Sequence, residues 1–459
     1  MLIGREKEQK AIKYLFNSND FKSGIIYGRK RIGKTELIKQ VVKNVDFPSV
    51  IYQCKESTEI DNTKLLTILI EDTFSLSHLS FDSFFDALHF LFELSIEKKF
   101  CLVIDEYPYI RELIDGCDSK LQWLIDSYTN TSKMKLFLIG SSINIMEDVF
   151  AHYSPLYGRF NQSILLISQM GYYDSAKFYP SFSNEDKVKL YSVFGGVPYY
   201  NVQIDEKQTV KENIIRLISG NFSGLRDYLE TYLKMELRKV NNANVVFETI
   251  AFGAFHFSDI LSKSHIDSSP ALNTILQKLI KMDLIEYVSP INDKKNKQKA
   301  GYRIKDLTLR FYYNFIYKNE SIHRILDDDV FFDKYIESDF ETIYVPQIFE
   351  IICKEYLIRK NRLLELEPML TDIGTYWYDD KIKKKNGQFD VVGKSDDGYV
   401  FFECKYTNAL VDDKVVKEEI SQVLETSLKP IQFGFFSKNG FKFDNKENYL
   451  LFTLEDIYK

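Results

Sequence analysis

A chain of 459 residues, at about 150 per domain, has room for roughly three domains, and its 45% hydrophobic content supplies several cores. Charged residues make up 27% and the formal charge is −6, which excludes wholesale disorder and a bulk polybasic nucleic-acid binder. Gly (20) and Pro (10) are too few for a collagen-like or linker-rich chain, and the 15% aromatic content reads as the bias of an AT-rich genome. Cys54, Cys101, Cys117, Cys353 and Cys404 form no CxxC pair, and the N-terminus turns charged at once. No apolar run nears the ~18 residues of a membrane span. The expectation is a reducing, cytoplasmic, soluble protein with no membrane partner.

The first 170 residues alternate short apolar runs with amphipathic stretches, the pattern of a parallel α/β sheet. Strands are expected at Gly24–Tyr27, Ser49–Gln53, Phe100–Ile104, Leu136–Ile139 and Ile164–Ile167, with helices such as Glu36–Lys43 and Lys64–Phe74 between them. Between the first strand and the next helix stands Gly28-Arg29-Lys30-Arg31-Ile32-Gly33-Lys34-Thr35, a complete G-x-x-x-x-G-K-[ST]. Its two glycines let backbone N–H groups wrap phosphates at a helix N-terminus. Lys34 is placed to reach the β- and γ-phosphates of ATP, and Thr35 to bind Mg²⁺. Cys101–Glu106 then delivers two carboxylates at a strand end, Asp105 for the metal and Glu106 for the attacking water. Ser141, after the fourth strand, is a candidate γ-phosphate sensor or a helix cap. Arg159 either stabilises γ-phosphate charge or pairs with an exposed acid.

Together with Gly4-Arg5-Glu6-Lys7-Glu8 and Gly195-Gly196-Val197-Pro198-Tyr199-Tyr200, these segments resemble, in order, the archaeal-type AAA+ ATPases of the STAND clade. The resemblance implies a P-loop ATPase core over 1–170, with the Gly4-Arg5 box near adenine, and a helical lid over 171–240 that holds the Gly195–Tyr199 turn. It also implies a nucleotide-sensing role for Arg159 and assembly through the ATPase core as an option.

Residues 241–320 read as a winged helix. Phe257–Ser262 and Ala271–Met282 are helical, Leu284–Val288 and Tyr302–Ile304 are strands, and Asn292–Ala300 is a wing. Lys294, Lys295, Lys297 and Lys299 suit that wing to DNA phosphates, or make it a solvated hairpin.

Residues 321–459 begin with linker helices and then read helix, strand, strand, helix, strand. Gln388–Gly393 and Tyr399–Lys405 flank a turn whose two allowed registers set Asp390 opposite Lys405 or opposite Glu403. Either register puts Asp390, Glu403 and Lys405 on one face, with Val400, Phe402 and Cys404 on the other. Two carboxylates and an ammonium so placed can bind Mg²⁺ or Mn²⁺ and orient water for phosphodiester hydrolysis of DNA or RNA.

This tail resembles the PD-(D/E)XK nuclease fold through Phe349-Glu350, Asp390 before Val391-Val392, and Glu403-Cys404-Lys405. That likeness implies Asp390 and Glu403 as metal ligands, Lys405 as the residue positioning the nucleophile, Glu350 as a further ligand and Gln422 as support. Gln388 departs from the acidic residue relatives often carry there. The whole reads as an α/β protein, an ATP-hydrolysing switch controlling a nuclease-like domain. Its rival is a signalling or scaffold ATPase, or a DNA-binding regulator, with a degenerate tail.

Overall fold

A computed structural model describes residues 2–160, 163–237, 242–380, 385–426, 428 and 430–459. The chain divides into two units, Met1–Gln169 and Met170–Lys459. The sequence-based boundary at 240/241 lies outside the described residues.

In the first unit β1 (Lys22–Tyr27), β2 (Ser49–Gln53), β3 (Cys101–Asp105), β4 (Lys135–Gly140) and β5 (Ile164–Leu166) form one parallel sheet, ordered β2-β3-β4-β1-β5. Ile25, Leu102 and Leu138 are wholly buried, as unbroken apolar runs in a sheet covered on both faces should be. Each strand lies within two residues of its expected place. Helix ends moved further, because caps rather than apolar spacing set them. The helix expected from Lys64 starts at Glu59, where the Thr58 side chain accepts from Asp61 N–H. β4 lies between β1 and β3, so Gly28–Thr35 and Asp105–Glu106 leave the same sheet edge on either side of Ser141.

In the second unit three helices, Ala243–Ala251, Phe257–Ser264 and Ser269–Lys281, precede an antiparallel pair, β6 (Ile285–Val288) and β7 (Gly301–Ile304). The lysine-rich segment between those strands is hydrogen-bonded to β8 of the last sheet (Asp372–Asp380). Ile291 N–H donates to the Thr375 carbonyl (2.8 Å), and Asn292 exchanges hydrogen bonds with the Trp377 backbone (2.7 and 3.1 Å). Lys294 pairs with Asp372 at 2.5 Å, and Lys299 Nζ sits 3.8 Å above the Trp377 ring. Two of the four lysines already have intramolecular partners.

The last sheet is mixed: β8 (Asp372–Asp380), β9 (Lys385–Lys394), β10 (Tyr399–Lys405), β12 (Gln432–Ser437) and β14 (Leu450–Thr453), ordered β14-β12-β10-β9-β8. β11 (Val411–Asp412) and β13 (Phe441–Lys442) form a small parallel pair beside it. β8 through β10 are antiparallel, while β12 and β14 add in parallel. β8 and β14 were not expected from the sequence. A long helix, Val345–Arg362, precedes the sheet, and the helix Asp413–Leu424, capped by the Asp412 side chain, follows β10. The core of the sheet gathers Ile291, Tyr376, Val392, Phe401 and Val423.

Candidate functional site

The loop after β1 is shaped by backbone angles that few residues tolerate. Gly28 has φ +149°, and a Cβ there would stand 2.3 Å from the Ile167 carbonyl oxygen. Gly33 (φ 94°) enters the helix Lys34–Val42 in the left-handed region, and Arg31 shares that region. Lys34, 5% exposed, donates to the carbonyls of Gly28 (2.9 Å) and Arg29 (2.8 Å) and to Ser141 Oγ (2.9 Å). Burial lowers its pKa to about 8, against the opposing pull of Glu106 and Asp105. Thr35 Oγ1 donates to Asp105 Oδ2 at 2.6 Å, and Glu106 N–H donates to Asp105 Oδ1 at 2.9 Å. Burial raises the pKa of Asp105, and the Thr35 bond resists that shift.

Glu106 itself stands at φ 53°, a strained angle for a side-chain-bearing residue. Ser141 donates to it twice, from N–H (3.2 Å) to Oε2 and from Oγ to Oε1. Lys34, Ser141 and Glu106 therefore form one hydrogen-bonded chain, and Thr35 and Asp105 form a second beside it. The Thr35 hydroxyl and Asp105 carboxylate are hard oxygen donors side by side, which fits Mg²⁺ held with phosphate and water. Arg5 reaches the Ile32 carbonyl (3.5 Å) and that of Ser168, so the N-terminal box lies against this loop. Arg159 forks onto both oxygens of Asp126 (2.8 and 2.7 Å) and donates to the Tyr157 carbonyl (3.0 Å). It is an ion-pair partner of Asp126 in this structure.

The second site lies on β9 and β10. Phe402 pairs with Val391, and Ser395 N–H closes the turn onto the Gly398 carbonyl (2.8 Å). That register sets Asp390 opposite Glu403, the second of the two alternatives. A cavity of about 290 Å³ is lined by Glu350, Gln388, Asp390, Glu403, Glu419 and Gln422, among others. Burial raises the Glu350 pKa to about 7, reinforced by the negative charges of Asp390 and Glu403. Burial also raises that of Glu403, which Lys405 opposes. Gln388 Nε2 donates to Asp390 Oδ1 (2.8 Å).

Lys405 Nζ bridges Glu403 (3.0 Å) and Glu419 (2.6 Å). Glu419 was not foreseen; its signal was the spacing of three from Gln422, to which it is hydrogen-bonded at 3.2 Å on the same helix face. Among the described residues no three His, Cys, Asp or Glu side chains gather as a metal cluster. Mg²⁺ commonly takes only one or two carboxylates and completes its shell with water and phosphate. Asp390 and Glu403 fit that requirement.

Residues 2–204 match a family described as an ATPase domain predominantly from Archaea, and 312–422 match one of archaeal and bacterial proteins of unknown function. The chain is 29% identical, over the full length of both, to an uncharacterised protein of Methanocaldococcus jannaschii. A Walker-type ATPase of Pyrococcus abyssi is similar in structure, with TM-score 0.53 at 18% identity, covering 68% of this chain and 96% of that one. The ORC2 protein of Aeropyrum pernix gives TM-score 0.47 at 13% identity, covering 70% and 94%. The fold of the N-terminal unit is that of a Walker-type P-loop domain. Among the described residues no helix is long and apolar enough to cross a membrane.

Proposed function

We propose that this protein is a nucleotide-dependent switch of the AAA+/STAND type in which ATP binding and hydrolysis control a metal-dependent nuclease site acting on DNA or RNA. On the ATPase side, Lys34 leaves the Gly28 and Arg29 carbonyls for the β- and γ-phosphates while the loop N–H groups cradle them. Thr35 and Asp105 would hold Mg²⁺, which supplies charge neutralisation at the phosphates. Ser141 releases or holds Glu106, the residue that orients the attacking water. Residues 171–240 would form the lid and 241–320 a winged helix, now employed as packing.

The observation that carries the nuclease half is the convergence of Glu350, Asp390 and Glu403 on one cavity, with Lys405 held at its edge. Asp390 and Glu403 would hold Mg²⁺ or Mn²⁺, with Glu350 on the wall of the same cavity as a further acid; the metal supplies polarisation of the scissile phosphate. Lys405 orients the nucleophile, and Glu419 holds Lys405.

Labelled single- and double-stranded DNA and RNA, incubated with Mg²⁺ or Mn²⁺ with and without ATP, test this. Cleavage by wild type should fall at least ~100-fold in Asp390→Ala, the scale of losing an electrostatic stabiliser of the transition state. Wild type leaving every substrate intact would remove the nuclease half. One observation favours the scaffold reading instead: Lys405 is bonded to carboxylates on both sides. That reading expects Lys34→Ala to abolish the cellular phenotype and Lys405→Ala to leave it.

A further inference from the structure

A second cavity, of about 310 Å³, opens between β7 and the helical segments that follow it, lined by Phe255, Tyr302, Arg303, Arg310, Lys318 and Gln347 among others. Its lining carries three cations against a single acid, Asp339. Arg303 has its own counter-ion, Glu286 at 3.2 Å. Arg310 does not share that comfort: among the described residues its side-chain hydrogen bond runs from Nη2 to the neutral amide of Gln347 (2.7 Å). Nη1 is buried with no hydrogen-bond partner among the described residues. The guanidinium lies 5.6 Å from the centre of the Tyr344 ring; burial lowers its pKa, helped by the charge of Arg303 and opposed by Tyr344, Glu286 and Glu350.

A guanidinium nitrogen buried with an unmade hydrogen bond is costly unless an acceptor completes it. Arginine's planar fork matches phosphate oxygens two at a time, which an ammonium cannot do. The cavity is of ligand size, and its aromatic walls leave room for more than the anion alone.

We propose that this cavity binds a phosphate monoester, up to the size of a mononucleotide, through Arg310 with Arg303 and Lys318 at its sides. The site is separate from both the P-loop and the carboxylate cavity, and it stands whether or not the nuclease reading survives. The phosphate can come from a free nucleotide or from the 5′ end of a nucleic-acid strand.

Calorimetric titration of the full chain, saturated with ADP and Mg²⁺ so that the P-loop is filled, tests it. The probes are inorganic phosphate, AMP, a 5′-phosphorylated trinucleotide and its 5′-hydroxyl counterpart. The expected result is saturable binding of at least one phosphate-bearing probe, at least tenfold tighter than the 5′-hydroxyl strand; AMP or the trinucleotide identifies the source. Arg310→Gln should weaken binding at least tenfold. Gln347→Glu places a carboxylate where Arg310 already donates; it should abolish binding and raise Tm, and it keeps the test decisive if Arg310→Gln does not fold. Absence of binding by every phosphate probe overturns the proposal, as does equal binding of the 5′-hydroxyl strand. So does an affinity left within twofold by Gln347→Glu.

Discussion

The ATPase site and the carboxylate cavity both bring acidic groups to the edge of a sheet, yet they are assembled by different means. At the first, Gly28, Arg31, Gly33 and Glu106 hold left-handed or otherwise glycine-favouring angles, so the backbone itself builds the cradle. Its side chains need only follow. At the second, Glu350 comes from one helix, Asp390 and Glu403 from paired strands, and Glu419 from another helix. Nothing in the local backbone compels them to meet; strand register and helix packing do. A ligand held by main-chain N–H groups leaves a contiguous motif, whereas one held by converging side chains leaves scattered letters.

The strongest test of that contrast is Lys34→Ala. Isothermal titration should show ATP affinity falling at least ~100-fold and phosphate release should drop to background, while Asp390→Ala leaves ATP turnover within about twofold. Turnover surviving the loss of Lys34 would break the comparison at its firmer end.

A smaller effect concerns the helix that presents Glu350. Five residues on, Glu355 accepts from Tyr172 N–H (2.9 Å) and Tyr191 OH (3.0 Å), and burial raises its pKa to about 7, which those two bonds oppose. The folded protein therefore keeps a proton that the unfolded chain, with a carboxyl near 4.3, has released. Its stabilising effect is complete below about pH 4.3 and is lost as pH rises to about 7, at up to ~1.4 kcal/mol per pH unit. Glu350, also near 7, contributes a second share, so Glu355→Gln should roughly halve the decline in thermal stability between pH 4.5 and 7. Melting curves across that range check it; an unchanged slope would show that the helix is not held by a neutral carboxyl.

Smallest is Glu419→Gln, which keeps the shape and removes one of the two carboxylates on Lys405. Urea denaturation should show a loss of about 1 kcal/mol, as for a partly exposed ion pair, with metal-dependent cleavage reduced several-fold. Cleavage unaltered would mean that Glu403 alone positions Lys405.

Most of the first unit was legible because its signals are local: apolar runs, a glycine-lysine loop and a strand ending in two acids. The second unit was legible only in part. β8 escaped notice because Asp372–Asp380 closes on two acids ahead of a lysine-rich stretch and reads as polar surface. The register of Asp390 stayed ambiguous because both turns fit the letters; the four-residue turn Ser395–Gly398 decides it. The docking of Lys294 and Lys299 depends on partners far along the chain, Asp372 and Trp377, that no window on the sequence contains. The pairing of Arg159 with Asp126 is of the same kind.

Ile291 belongs by sequence to the lysine-rich hairpin but by packing to the hydrophobic core of β8, β9 and β10. A fragment cut at residue 321 would leave that core one side chain short and the edge of β8 without its hydrogen-bonding neighbour. The carboxylate cavity is thus not a cassette that recombination could lift away and graft onto another ATPase. Inheritance of the tail carries the hairpin with it.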